Sequence, residues 1–104
     1  MKYMISWQER PQGSAVDYEN AQKRILGLFR HWQMPESLKI HHFVVRVGEY
    51  GGFMLAETND VGAIHKLTST FPAFQFRVDT VLDIMDAVAV ELEAIAWRDA
   101  VKVG

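Results

Sequence analysis

The period of the apolar residues, which changes repeatedly along the chain, is the feature that most constrains the fold. Tyr3, Ile5 and Trp7 alternate with other residues, and this spacing of two is typical of a strand. Further on, apolar residues recur every three or four positions, which is typical of one face of a helix. This second set consists of Tyr18, Ala21, Ile25, Leu28 and Trp32. The beginning of the chain is therefore predicted to be a strand followed by a helix.

Two polar residues mark the start of this helix. Ser14, followed three residues later by Asp17, resembles a capping box, in which short side chains accept hydrogen bonds from free N–H groups. Inside the helix, Gly27 costs about 1 kcal/mol relative to alanine. A close backbone contact at Gly27 is one candidate reason for a glycine there.

The segment GEYGG, residues 48–52, lies between two runs rich in β-branched and aromatic residues. Leu38 to Val47 and Phe53 to Thr58 are predicted to be antiparallel strands joined by a hairpin, because glycine readily adopts the positive φ that such turns need. Asp60 is the predicted N-cap of a short second helix, which Pro72 closes.

The last part of the chain fits two patterns. Phe74 to Leu82 alternates and predicts a fourth strand with one apolar face. Residues 84–97 fit either an alternating strand or a helix with the stripe Met85, Val88, Leu92 and Ile95. We predict a helix, since the segment is rich in alanine, glutamate and leucine and since Asp83 and Asp86 resemble a capping start.

The order strand, helix, strand, strand, helix, strand predicts an α+β, ferredoxin-like βαββαβ fold: one antiparallel sheet with both helices on one face, and an extra C-terminal helix. A chain of 104 residues is expected to form a single domain over residues 1–104. The second and fourth strands place apolar side chains toward both sides of the sheet, so the face without helices should also be covered. We expect a homodimer, a dimeric α/β barrel in which two sheets pack face to face.

The composition excludes several kinds of partner and site. A net charge of −2, with scattered charges, provides no basic face for nucleic acid or an anionic membrane. Without cysteine there is no disulfide, thiolate nucleophile or cysteine-based metal site. No apolar segment has the length needed for a signal peptide or for crossing a bilayer. The protein is expected to be cytoplasmic and to hold no cofactor.

Three segments, MKYMISW, VRVGEYGGFMLAET and FQFRVDTVLDIMDAVAVELEAIAW, together resemble a domain-of-unknown-function family of small bacterial proteins in the dimeric α/β-barrel superfamily. The resemblance rests on strand pattern and glycine placement, and it implies a fold and a dimer. The superfamily includes cofactor-free monooxygenases, haem-degrading enzymes, isomerases, cyclases and ligand-binding proteins, so the fold does not select a function. No catalytic residue is carried over from it.

The segment HHFVVRV contains the first candidate site. Because neighbours on a strand point to opposite faces, His41 and His42 are not expected to bind one ion, and no metal site is predicted. His42 and Arg46 share a face by the same rule, and together they could hold a substrate carboxylate or enolate and move a proton. That face is also predicted to hold Leu38, Ile40 and Val44.

Glu57 is the third candidate catalytic residue. It shares a strand face with Phe53 and Leu55, so partial burial is expected to raise its pKa and suit it to act as a general base. The alternatives are a solvent-exposed strand end or an ion pair with Arg46 or Arg77, with Arg46 lying across the hairpin.

Three further residues are candidates for binding a ligand. Trp7, at the end of the first strand, is expected to stack on an aromatic molecule beside a cavity. Tyr50 in the turn is a candidate lid or dimer contact. His65 lies one position off the stripe of the second helix, where the alternative is a residue at the boundary of the core.

Three functions remain open on these observations. The first is a homodimer that binds a small apolar or aromatic molecule between sheet and helices. The second is a cofactor-independent monooxygenase or isomerase in the same cavity, with His42 as base and Arg46 as anion holder. The third is a protein-interaction module with a filled interior.

Overall fold

A computed structural model describes residues 1–102 as a four-stranded antiparallel sheet with three helices. The elements are β1 (Lys2–Glu9), α1 (Ala15–Arg30), β2 (Lys39–Val45), β3 (Gly51–Glu57), α2 (Val61–Thr70), β4 (Phe74–Val81) and α3 (Ile84–Ala100). The strand order across the sheet is β2-β3-β1-β4, and every neighbouring pair is antiparallel. The ferredoxin-like fold with an added C-terminal helix is therefore confirmed.

The core lies on the side of the sheet that packs against α1 and α2, here called the helix face. Tyr3, Ile5 and Trp7 of β1 are 6%, 1% and 8% exposed. Residues directly opposite one another on antiparallel strands share a face, so Met54 and Ala56 of β3 join them. The helices complete this cluster through Ile25, Ile64 and Leu67. The other side of the sheet, which carries Phe53 and Leu55, is here called the open face.

The predicted helix starts are confirmed for α1 and α2. The N–H of Asp17 donates to Ser14 Oγ at 3.1 Å, and the N–H of Gly62 donates to Asp60 Oδ1 at 2.9 Å. These bonds satisfy N–H groups that have no partner within the helix. The helix predicted for residues 84–97 is also confirmed, although the Asp83 side chain accepts no capping bond from it.

Two details of α1 differ from the prediction. The helix ends at Arg30, so Trp32 follows it, and Tyr18 at the start of the predicted stripe is 43% exposed. A close contact does not explain Gly27, because nothing lies within 4 Å of the position that a Cβ would take there. Crowding occurs instead at Gly52, where an added Cβ would be 2.8 Å from Cζ2 of Trp7.

α3 stands apart from the rest of the described chain. None of its residues is buried, and the chain extends over 68 × 31 × 21 Å. The radius of gyration is 19.2 Å, whereas a compact domain of this length has about 13 Å. No helix within residues 1–102 is both long enough and apolar enough to cross a membrane.

The N-terminal end of α3, here called its root, is held close to the start of β1. Leu82 and Asp83 are the only residues between β4 and α3. Lys2 Nζ donates to both carboxylate oxygens of Asp83 at 2.8 Å, and this hydrogen bond raises the pKa of Lys2. The short connection and the ion pair together direct α3 away from the sheet.

Gly52 and Gly27 provide a matched pair of substitutions. A Cβ at Gly52 would also press on the carbonyl oxygen of Val44, and a backbone group cannot move aside cheaply. We expect Gly52→Ala to lower the free energy of unfolding by about 3 kcal/mol. Gly27→Ala should raise it by about 1 kcal/mol, because alanine favours the helix and the site has space. Urea unfolding measures both, and equal stabilities would contradict this packing.

Candidate functional site

A cavity of about 180 Å³ lies between the helix face of the sheet and the two helices α1 and α2. Fourteen residues line it, and eight of these are aromatic. The whole chain contains three tryptophans, three tyrosines and six phenylalanines, so most of its aromatic residues are in this wall. The six aliphatic residues of its wall are Ile5, Ile25, Leu26, Val45, Met54 and Leu67. The lining is therefore almost free of polar atoms.

The aromatic residues form one connected chain of rings around this cavity. Trp7, on the central strand, lies against Phe43 with ring centroids 5.1 Å apart and planes nearly perpendicular, and against Phe74 at 6.4 Å. Phe43 also contacts Phe29 at 6.0 Å. The chain of rings continues through Trp32, Phe71, Tyr50 and Phe76. Each such pair contributes about 0.5–1.5 kcal/mol beyond burial, so the rings hold one another in position.

The cavity opens on the side where α1 faces β2. Leu26 and Phe29 of α1 are 52% and 47% exposed, and Phe43 and Val45 of β2 are 42% and 65% exposed. These four residues are here called the cavity mouth. Their apolar surface is accessible to a molecule that enters from solvent.

Tyr50 places the principal hydroxyl group beside this apolar space. The turn before β3 contains Gly48 at φ 87°, and it brings the Tyr50 ring to 5.6 Å from Phe74. Burial, and then the nearby Glu9 carboxylate, raises the pKa of the phenol, which stays protonated at neutral pH. Glu9 Oε1 is itself buried and accepts no hydrogen bond from the described residues.

The two adjacent histidines lie on the open face, away from the cavity. A β-bulge interrupts the pairing of β2 with β3 between Ile40 and His42. His42 lies opposite Leu55, and His41 Nε2 lies 2.7 Å from Glu57 Oε1. The prediction that strand alternation separates His41 and His42 onto opposite faces is therefore wrong, because the bulge adds one residue to β2. Within residues 1–102 no three His, Asp or Glu side chains could hold a metal ion.

The bulge also divides the predicted face of β2. Ile40 lies opposite Ala56 on the helix face, whereas His42 and Val44 lie opposite Leu55 and Phe53 on the open face. A sequence pattern alone does not reveal the bulge, because the extra residue is defined only by the partner strand. His42 thus keeps Val44 as a neighbour on its face and loses Ile40.

Arg46 and Glu57 do not form the ion pair that was the alternative for them. Arg46 Nη1 donates to Glu49 Oε2 at 3.2 Å, and its guanidinium lies 4.8 Å from the Phe53 ring centroid. The expected rise in the Glu57 pKa is also wrong. The hydrogen bond with His41 is the main effect on the Glu57 carboxyl, and it lowers the pKa.

The candidate site residues therefore separate into groups. Trp7 and Tyr50 line the aromatic cavity. His42 and Glu57 lie on the open face, on the far side of the sheet from the cavity, and Arg46 stacks on Phe53 of that same face. His65 is exposed on α2 and outside the cavity lining.

Sequence reasoning missed two further features. Leu26, Phe29 and Phe43 line the cavity, and only their apolar character in a helix and a strand could have suggested it.

Arg46 also borders an open polar basin of about 620 Å³ with Arg10 and Arg77. Two of its arginines already have acidic partners: Arg46 pairs with Glu49 and Arg77 with Asp79. The remaining polar lining of the basin is Ser6, Gln8 and Gln75.

A comparison of two single substitutions, His41→Ala and His42→Ala, tests the bulge. A lowered carboxyl pKa stabilises the fold only where the group is charged. The contribution of Glu57 to the free energy of unfolding is therefore present above its ordinary pKa of 4.5, and it is lost as pH falls through the lower pKa of the folded state. His41→Ala should raise the Glu57 pKa and remove this contribution, whereas His42→Ala should change neither. NMR titration of the Glu57 carboxyl measures the pKa, and equal effects of both substitutions would rule out this geometry.

Comparison with known proteins identifies a family that has no assigned activity. No curated protein matches the chain closely enough to serve as a relative. Residues 1–95 match the family described as a domain of unknown function, DUF3303, and the match includes all four strands, α1, α2 and most of α3. The chain therefore belongs to the DUF3303 family.

Proposed function

We propose that this protein binds a small, flat, largely apolar molecule in the cavity between the sheet and the helices α1 and α2. The observation that carries the proposal is the cavity of about 180 Å³ walled by eight aromatic side chains. Pockets for small molecules are typically apolar and aromatic with few polar groups. Here the Tyr50 hydroxyl and the two indole N–H groups of Trp7 and Trp32 are the polar groups of the lining side chains.

The size of the cavity supports this class of ligand. Apolar cavities of about 150 Å³ in a protein core remain free of water and take up benzene. The wall atoms that border the empty space lack neighbouring protein atoms, so they lose dispersion contacts. A bound ring would restore the missing contacts, so the ligand and the fold stabilise each other.

The expected affinity follows from the area that a ligand loses to the cavity wall. An aromatic group of about 150–200 Å² gains roughly 4–5 kcal/mol at about 25 cal/mol per Å². The loss of translational and rotational freedom on association offsets part of that favourable free energy. A simple ring without a matching polar group should therefore bind with a Kd on the order of 1 mM, and a natural ligand with more contacts should bind more tightly.

The other two functions have less support. The cavity argues against an interaction module with a filled interior. An oxygenase or isomerase in this cavity would need a base and an anion holder inside it, and neither His42 nor Arg46 is in its lining. We assign no catalytic step to these residues.

We also propose that the protein is a homodimer in which a second copy covers the open face, as in the dimeric α/β barrels. Support comes from Val44 and Phe53, which lie opposite each other on that face and are 54% and 40% exposed. Apolar side chains grouped in this way are normally covered by a partner. A twofold pair of sheets would cover both copies at once.

Toluene binding tests the ligand proposal, observed by NMR of the side chains that line the cavity. Wild-type protein should bind with a Kd of about 1 mM. Leu67→Phe fills the cavity and Leu26→Trp obstructs the mouth, so each should weaken binding at least tenfold. Val16→Phe, at the exposed start of α1 and outside the cavity lining, is the control and should not. Unchanged binding in both cavity variants would reject the site.

The same titration separates the ligand proposal from the enzyme alternative. His42→Ala and Arg46→Ala should leave the toluene affinity unchanged, because neither side chain lines the cavity. Trp7→Phe should weaken it, since the smaller ring leaves part of the wall empty. A loss of affinity in the first two variants but not in the third would favour the alternative.

Sedimentation equilibrium at micromolar concentration tests the dimer. The expected mass is twice the chain mass of 11.9 kDa. Phe53→Lys should shift the equilibrium toward monomer, because it places a charge in the covered face, whereas Val16→Lys, on the exposed N-terminal turn of α1, should not. A wild-type monomer throughout the range would exclude the dimer.

A further inference from the structure

We propose that α3 is an arm that packs across the cavity mouth of a second copy, so that each ligand site is closed by its partner. This inference rests on the proposed dimer and on the proposed cavity. It goes beyond both in assigning a partner to the one helix that the described chain leaves uncovered.

The first observation is the apolar surface of α3. Val90, Leu92 and Trp97 are 57%, 60% and 70% exposed. The apolar residues form two seams with alternating spacings of three and four, Met85, Val88, Leu92, Ile95 on one side and Ala87, Val90, Ala94, Trp97 on the other. A helix that is apolar around most of its circumference is normally buried. α3 is therefore built to be covered.

The second observation is that α3 does not cover its own cavity mouth, since none of its residues is in the cavity lining. Its root is fixed by the connection Leu82 and Asp83 and by the pairing of Asp83 with Lys2. That root lies at the end of the sheet where β1 begins, whereas Trp7 and Phe76, which line the cavity, lie toward the other end. With 17 residues the arm is about 26 Å long, enough to cross a neighbouring copy.

The third observation is charge complementarity between α3 and the surface beside the mouth. Lys23 and Arg30 lie one turn before and one turn after Leu26 on α1, and neither forms an ion pair within the described residues. Asp86 and Glu93 of α3 form no ion pair there either, although the Asp86 carboxylate lies near enough to Lys2 to help raise the pKa of that amine. Opposite charges at matching positions of two helices select partner and orientation.

The spacing of these charges also matches. Lys23 and Arg30 are seven residues apart, and so are Asp86 and Glu93. Seven residues correspond to two turns, or about 10.5 Å, on either helix. On α3 the two carboxylates border the seam that contains Val90 and Trp97. That seam can therefore cover Leu26 and Phe29 of the partner while both charge pairs form.

The open face fits this arm less well. Two of its charged groups already have partners, because Glu57 is bound by His41 and Arg77 by Asp79. The mouth instead combines unpaired cations with four half-exposed apolar side chains. A second copy is the occupant that the chain itself supplies, since one chain carries both the acidic apolar arm and the basic apolar mouth.

Disulfide trapping tests the arm, and the absence of native cysteine makes the result specific. Copies carrying Leu26→Cys are mixed with copies carrying Val90→Cys and oxidised. We expect a covalent heterodimer, and at least tenfold less of it when Val16→Cys, on the same helix but at its exposed start, replaces Leu26→Cys. A yield no higher than this control would overturn the proposal, as would a cross-link within one chain that carries both cysteines.

Charge reversal provides a second, independent readout. Lys23→Glu with Arg30→Glu should weaken the dimer about tenfold in sedimentation, and Asp86→Lys with Glu93→Lys in the same chain should restore it. Failure of the rescue would contradict the charge pairing. The outcomes also separate the three proposals. If wild-type protein is a dimer but the cysteines do not cross-link, the arm is refuted and the dimer is retained. If wild-type protein is a monomer that binds toluene, the arm and the dimer are refuted and the cavity is retained.

Discussion

The close approach of Trp7 to Gly52 is the constraint on which the rest of the structure depends. β1 is the second strand from one edge, and Trp7 lies directly opposite Gly52 of β3 in its register. Because Gly52 has no side chain, the indole of Trp7 fills the space beside it and reaches across β3 to Phe43 on β2. A larger residue at position 52 would displace the indole from the centre of the aromatic wall. The cavity is thus shaped by a residue that contributes no atoms to its lining.

The sheet separates two chemical environments. On the helix face the side chains are aromatic and aliphatic, and the cavity contains few polar atoms. On the open face charged residues pair with one another, as His41 does with Glu57 and Arg77 with Asp79. Because successive residues of a strand alternate between faces, one sequence of seven or eight residues encodes both environments. The aromatic wall of the cavity and the electrostatics of the other face are therefore separable by mutation.

Much of the fold could be predicted from sequence, because it depends on local patterns. The alternation in β1, the cap at Ser14 and the glycines after Val47 each specify one element without reference to another. The positions of His41 and His42 could not be predicted in this way. They depend on how many residues of β2 pair with β3, and that number is fixed by both strands together.

The same distinction explains the candidate site. Trp7 and Tyr50 could be identified as pocket residues, since a large aromatic residue at a strand end or in a turn borders whatever space the core leaves. Phe29 and Phe43 could not, because their role depends on the distance between α1 and β2. The effect on Glu57 also had the opposite sign from the prediction, since one imidazole 2.7 Å away outweighs partial burial.

The bond between Lys2 and Asp83 has a mechanical consequence. α3 is covalently attached to β4, an edge strand paired on one side only. Through Lys2, the root of α3 is also tied to β1, which is hydrogen-bonded on both sides. A force on the helix is therefore shared with an interior strand and does not peel the edge strand away alone. Since Lys2 and Asp83 are accessible to solvent, dissolved salt screens this connection and makes the root of the helix more compliant.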